Sequence, residues 1–379
     1  MGLTVLLLFA ALLILGAIYY YLRVYQPAKP AERFSDYALG LNYIIAGDLE
    51  KAREKLVEAV RKDSENIDAY LKLGSILRQR GQVVPAIKVH QSLTVRTDLK
   101  LAERIEILKE LAKDYEQAGA LRRAAEFTDR ILALAADHPW ALTFRLRLAE
   151  RLQDWGAAFE MSRRLNVSSG QKDQSKLALY RVEEGRALMD QGKGKDGRVK
   201  CREALRYDRA CAHAYLTLAQ SYANENREED AAKELKALLD ANSEQAYLAY
   251  DMLENLYFNL GRFGELELLY RQIIEKNPDD LHAAQALARF LRKKGEIENA
   301  LDVCRRVLER HPDDIWSRRF MIRALLETGR TSDIGSLAVE ILDRVMLERP
   351  RYSCSNCAFQ TDEPLWRCPR CSSLGAFNL

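Results

Sequence analysis

The chain has 379 residues, 48% apolar and 30% charged, which describes a folded protein and excludes a disordered one. Its 58 Lys and Arg stand against 55 Asp and Glu, and a net charge of +3 argues against a wholesale nucleic-acid binder. Nine prolines and 19 glycines leave few breakers, which favours long helices, and five scattered histidines offer little for a His-rich catalytic or metal centre.

Leu3 to Tyr21 is an uncharged run, LTVLLLFAALLILGAIYYY. As a helix it is about 28 Å long, close to the hydrocarbon thickness of a bilayer. A cleavable signal peptide would carry Lys or Arg before the run and a small-x-small site after it. Neither is present, and Tyr19, Tyr20 and Tyr21 suit an aromatic belt at headgroup level. The sequence therefore predicts a transmembrane anchor at 1–22 and a juxtamembrane linker at 23–32. Arg23, Lys29 and Arg33 follow the span, and the positive-inside rule puts the bulk of the chain on the cytoplasmic side.

Glycines then recur at Gly47, Gly81, Gly119, Gly192, Gly261, Gly295 and Gly329, with gaps of 34, 38, 73, 69, 34 and 34. The two long gaps are about two periods each, with non-glycine turns expected near Gln153-Asp154 and at Asn226. A 34-residue helix–turn–helix period is the tetratricopeptide signature. Leu39-Gly40, Tyr43, Ala52 and Ala59 stand in register in the first unit, and Leu73-Gly74, Gly81, Ala86 and Leu93 in the second. Later units repeat the pattern, with Leu218-Ala219 and Leu287-Ala288. Small residues let the two helices of a hairpin approach, and Pro278 and Pro312 stop second helices. About nine units fit within 33–349, the one near 139–175 being the most degenerate. The expected architecture is all-α, a tetratricopeptide-repeat solenoid with an extended binding face. Cys201 and Cys304 share an apolar second-helix position and read as core thiols. His138 and His311 each precede a proline at a helix end, where a role toward the C-terminal dipole is expected.

The tail places Cys354 and Cys357, then Cys368 and Cys371, as two C-x-x-C pairs separated by ten residues. Each tight turn presents two thiolates, and two such turns hold one tetrahedral metal ion, iron or zinc. A reducing compartment fits metal ligands rather than disulfides. With all four positions thiolate, no place remains for a metal-bound water, so the site is structural or redox rather than hydrolytic. Phe359, Trp366 and Phe377 are the expected small core of a metal domain at 350–379. The Cys-Pro-x-Cys second turn resembles rubredoxin, except that Ala358 and Ser372 stand where rubredoxins usually have Gly after the second Cys.

An anchor, a repeat array and this tail together resemble the lipopolysaccharide assembly protein B family of Gram-negative bacteria. The most specific stretches are Arg80-Gly81-Gln82-Val83, Ala86-Ile87-Lys88-Val89-His90-Gln91, and Pro350-Arg351-Tyr352 leading into the first Cys pair. The resemblance implies a non-enzymatic, single-pass inner-membrane adaptor. It implies as partners an FtsH-type AAA+ protease, the lipid A-committing deacetylase whose degradation it promotes, and other lipopolysaccharide-assembly proteins. A homo-oligomer is compatible with such an array.

First helices line the binding face in arrays of this kind. Read off the last units, that face carries Arg289, Arg292 and Lys293, then Arg319 and Arg323, with Asn224, Asp251, Asn255 and Asn259 further in. The expectation is a groove basic at its C-terminal end, next to the metal tail, that anchors an acidic partner segment. No Gly-rich phosphate loop, nucleophile elbow or His–carboxylate–nucleophile set suggests an enzyme. Two other readings stand beside the adaptor: membrane-tethered electron transfer through the tail, and a peptide-binding scaffold unrelated to lipopolysaccharide. Arg351, Arg367 and Arg370 form no basic run, so nucleic acid is not an expected partner.

Overall fold

The computed structural model describes residues 11–21, 35–170, 173–330, 334–335, 352–363 and 365–378. Residues 11–21 form an exposed helix, α1. The rest of the predicted anchor and the linker at 23–32 lie outside the described residues. Among the described residues, no helix is long and apolar enough to cross a membrane.

From Asp36 the chain is a succession of antiparallel helical hairpins: α2 (Asp36–Ile45) with α3 (Leu49–Lys62), α4 (Ile67–Gln79) with α5 (Val83–Leu93), and α6 (Leu101–Gln117) with α7 (Leu121–Leu134). Next come α8 (Pro139–Leu152), α9 (Trp155–Ser169), α10 (Gln174–Asp190), α11 (Gly194–Tyr207), α12 (Ala212–Asn224) and α13 (Glu228–Ala241). A 3-10 turn at Ser243–Ala249 leads into α14 (Tyr250–Asn259) and α15 (Phe263–Lys276), followed by α16 (Leu281–Lys294), α17 (Ile297–Arg310) and α18 (Ile315–Glu327). The expected all-α tetratricopeptide-type array is what the structure shows. Internal contacts divide it within α8 into two compact units, Met1–Ala141 and Leu142–Leu379.

The punctuation is local chemistry. All seven spaced glycines have left-handed φ, from +68° to +87°, and follow the end of a helix, for the first six the first helix of a hairpin. Gln153 and Asn226 adopt the same conformation at φ 59° and 57°, which confirms the two expected non-glycine turns at the strain an L side chain carries there. Asp48, Asn66, Asp280 and Asp314 cap the helices that follow by accepting a backbone N–H three residues on. Helices α15 and α17 end two residues before Pro278 and Pro312. Cys201 and Cys304 are fully buried, and burial pushes both thiols up to about 12, as core groups rather than nucleophiles. His311 sits at the C-terminus of α17, 3.3 Å from Asp279. His138 differs from expectation: its Nδ1 accepts from the Ala141 N–H at 3.4 Å, so it serves the N-terminus of α8 rather than the C-terminus of α7.

In unit 1 the close helix approach creates a buried ionic cluster. Gly74 of α4 faces His90 of α5 so closely that an added Cβ would lie 2.3 Å from the ring. His90 is fully buried, with Nδ1 at 2.6 Å from Asp114 and Nε2 at 3.2 Å from the Leu71 carbonyl. Arg78 donates to Asp114 at 2.7 Å and to Glu110 at 2.6 Å, and Ser75 and Lys113 also donate to Glu110. Three consecutive helices, α4, α5 and α6, are thus joined by polar side-chain contacts as well as by apolar packing.

Burial alone would raise the Glu110 carboxyl, but Lys113 and Arg78 outweigh it and hold the group at about 2, from an ordinary 4.5. A depressed carboxyl stabilises the fold above its unfolded pKa and stops doing so as pH falls through its folded value. The melting temperature should therefore decline between pH 4.5 and 2, and Glu110→Gln should be less stable at neutral pH with a flatter decline. Thermal melts across that range check this; an identical pH slope in the variant would exclude Glu110 as its source.

Candidate metal centre

The tail forms a three-stranded antiparallel sheet of order β2-β1-β3, with β1 at Tyr352–Cys354, β2 at Gln360–Thr361 and β3 at Phe377–Asn378. Ser353 pairs with Gln360 on one side and Asn378 on the other, which sets the first Cys turn at the end of the central strand.

The two Cys turns are built alike. Ala358 N–H donates to the Cys354 carbonyl and Ser372 N–H to the Cys368 carbonyl, each at 2.8 Å. Cys354 N–H donates to Phe359 O and Cys368 N–H to Ser373 O, each at 2.9 Å. Both turns close on a left-handed residue, Ala358 at φ 53° and Ser372 at φ 60°. These are the positions where the sequence lacks the usual glycine, so the rubredoxin-like turn is kept and carries backbone strain. Ala358→Gly and Ser372→Gly should each stabilise the tail by about 1 kcal/mol. Slower loss of metal to a chelator would show it; faster loss from both variants would contradict it.

The four Sγ atoms lie within 4.8 Å of one another, with Cys354–Cys371 at 3.6 Å and Cys357–Cys368 at 3.5 Å. Metal–sulfur bonds of about 2.3 Å in a tetrahedron put sulfurs roughly 3.8 Å apart, so the set fits one ion. None of these cysteines is disulfide-bonded. Ser373 Oγ lies 3.3 Å from Cys371 Sγ and lowers that thiol, while burial raises Cys357. The four predicted ligands are therefore brought together as a metal site.

Two of the three aromatic residues expected to form the tail's own core, Trp366 and Phe377, face the repeats instead. Trp366 and Phe377 are half-buried, and both line a cavity of about 530 Å³ against α10, α12 and the 3-10 turn. Trp366 stacks on His213 of α12, ring centroids 4.5 Å apart and 15° from parallel. His213 is held by Glu183 of α10 at 3.1 Å, and its burial lowers its pKa. Tyr352 and Tyr247 hydroxyls lie 3.0 Å apart, and Arg367 sits 5.1 Å from the Trp155 ring centroid. Gly375, at φ 61°, approaches Leu179. The tail thus packs against the first hairpins of unit 2, at residues 155–248, and not beside the last repeats as the sequence suggested. A tail this short gains from the repeats the burial it cannot supply itself.

The predicted groove residues are exposed or at a rim, but most are engaged. Arg289 pairs with Asp251 at 3.0 Å, Lys293 with Glu254 at 2.8 Å, and Arg292 with Glu327 at 3.4 Å. Asn259 donates to Glu228 at 3.0 Å, and Asn224 accepts from Gln220 at 2.7 Å. Arg319 and Arg323 are exposed and make no ion pair among the described residues, and Asn255 is exposed on α14. The sequence reading named Arg289 and Asp251 without pairing them, and did not single out Glu254 or Glu327.

Comparison with known proteins agrees with this construction. Residues 352–378 match the family model described as a rubredoxin metal binding domain. Residues 37–93, 182–246 and 281–324 match tetratricopeptide repeat models. The expected resemblance to the lipopolysaccharide assembly protein B family is borne out. The protein of that name from Escherichia coli (strain K12) is 25% identical over 343 residues, which cover 90% of this chain and 88% of that one. Its counterpart from Haemophilus influenzae is 25% identical over 376 residues, covering 89% and 87%. Among solved structures, a tetratricopeptide repeat protein from Parabacteroides merdae covers 76% of this chain and 97% of its own at 16% identity, with a TM-score of 0.29.

Proposed function

From a likeness to lipopolysaccharide assembly protein B that runs through about nine-tenths of the chain, we propose that this protein is a non-enzymatic adaptor in the control of lipopolysaccharide synthesis. It sits in the bacterial inner membrane through a single span at 1–22, with its repeats on the cytoplasmic side. There it brings the lipid A-committing deacetylase to an FtsH-type protease and gathers other lipopolysaccharide-assembly proteins. The full-length likeness carries this reading, because it joins repeats and metal tail in one order rather than matching either part alone.

The physical work is confinement. A repeat face that holds a client and an anchor that shares the protease's membrane turn a three-body encounter into a local one. Cys354, Cys357, Cys368 and Cys371 would hold one iron or zinc ion, whose role here is to fix the tail's fold. Trp366, Tyr352 and Arg367 then keep that tail against His213, Tyr247 and Trp155, which sets the surface offered to partners.

Removing residues 1–21 should leave folded repeats, since they have their own core. Deacetylase control should fail at equal protein level, because the effective concentration at the membrane is lost. Crosslinking and affinity capture test both points: the full chain should retain the protease and the deacetylase, and the truncated chain should lose the protease. Normal control by the truncated chain at normal abundance would sink the proposal.

A further inference from the structure

An apolar opening lies between α14, α15 and α16. Phe258 of α14 and Phe263 of α15 meet edge-to-face, centroids 5.4 Å apart, and are 67% and 43% exposed. With Leu266 and Phe290 they wall a cavity of about 380 Å³, rimmed by Lys293 and Lys294. That volume is at the low end of ligand pockets, roughly 300–1,000 Å³, and suits one bulky side chain rather than a cofactor. Exposed paired aromatics on a helical array mark an interaction site more than a packing need.

Charge says what else the occupant carries. Beside the slot, Lys293 is taken by Glu254, Lys294 by Glu267 and Arg289 by Asp251. Arg319 and Arg323, one turn apart on α18, have no acidic partner among the described residues. Arg319 and Arg323 therefore offer acidic groups of a partner a place to land on α18. Helix α16 lies between α14 and α18, joined to them by Lys293–Glu254 and Arg292–Glu327. Two helix spacings are about 16–20 Å, which an extended chain covers in about five or six residues. Asn255, at the slot's edge, makes no side-chain hydrogen bond among the described residues and can take a peptide group of a chain laid across α16.

We propose that the Phe258–Phe263 slot takes a bulky apolar side chain of an extended client segment, and that Arg319 and Arg323 hold acidic side chains about five or six residues along it. The proposal rests on the adaptor reading for its claim that the segment belongs to a client.

The test uses the full chain in detergent micelles and labelled synthetic peptides. Each peptide carries one Leu and an Asp-Asp pair about five residues away, in either order. Fluorescence anisotropy should show saturable binding for one order. Phe258→Ser, at an exposed position, should leave the melting temperature unchanged and weaken binding at least about tenfold. Replacing the peptide's Leu by Ser should weaken wild-type binding similarly but add little to the Phe258 variant, the coupling expected of direct contact. Arg319→Glu with Arg323→Glu should also weaken binding at least about tenfold and remove its salt dependence. Failure of both peptide orders to bind, or unchanged affinity in both variants, would overturn the proposal. So would conversion of a dimer to monomer by Phe258→Ser with peptide affinity unchanged, which would give the slot to a second copy. In cells, Phe258→Ser should slow deacetylase turnover. If deleting the whole chain alters turnover and Phe258→Ser does not, the slot is not the client site and the adaptor reading stands. If deletion leaves turnover unchanged while the peptide coupling holds, the adaptor reading falls and the slot stands as a peptide site.

Discussion

Replacing Cys368 by Ser releases the metal and unfolds residues 352–378 while the helical hairpins stay folded. Cys368 is fully buried, and its thiol lies 3.5 Å from Cys357 Sγ across the site. The tail's sheet has strands of only two or three residues, and Cys354 and Cys368 are its only fully buried side chains among the described residues. So little apolar burial cannot hold a fold. In comparable zinc peptides the ion contributes about 10–16 kcal/mol, which is the folding free energy itself. Metal analysis should fall from about one ion per chain to near none. Trp366 emission should shift to the red as the ring leaves His213, and far-UV helicity should stay nearly unchanged. Retained stoichiometric metal in the variant would refute the ligand assignment.

Changing Asp114 to Ala lowers the stability of unit 1 by about 3–5 kcal/mol. Asp114 of α6 is fully buried and meets both His90 of α5 and Arg78 of α4, so its loss leaves the buried His90 Nδ1 without its partner and Arg78 with Glu110 alone as an acidic partner. Gly74→Ala should act on the same point, because the new Cβ meets the His90 ring. Combining Gly74→Ala with His90→Ala should recover part of that loss, since the clash disappears with the ring. Denaturant titration of each variant measures these values. A cost under about 1 kcal/mol for Asp114→Ala would mean that the cluster does not hold α4, α5 and α6 together.

What the sequence made legible was what short-range chemistry decides. A turn that needs a left-handed residue selects Gly, so seven glycines exposed the repeat, and even Gln153 and Asn226 followed from the period. Two thiols in one tight turn announce a ligand pair, so the metal site was readable as four cysteines. Contacts between distant residues were not. His90 stood in a stretch singled out by resemblance, but Asp114 lies 24 residues on, and nothing periodic joins them. Tyr352 meets Tyr247 across 105 residues, so the docking place of the tail had no linear trace, and Trp366 was assigned to the tail's own core. Arg289 and Asp251 were both placed on the expected face, but nothing in the sequence pairs residues 38 apart, and Glu254, 39 residues from Lys293 on the preceding first helix, was not singled out.

The most direct measurement is the half-life of the lipid A-committing deacetylase in the host bacterium, by pulse–chase, with this chain present, deleted, and restored. Deletion should lengthen the half-life, and restoring the full chain should shorten it only while the FtsH-type protease is active. A half-life that is the same with and without the chain would contradict the adaptor role.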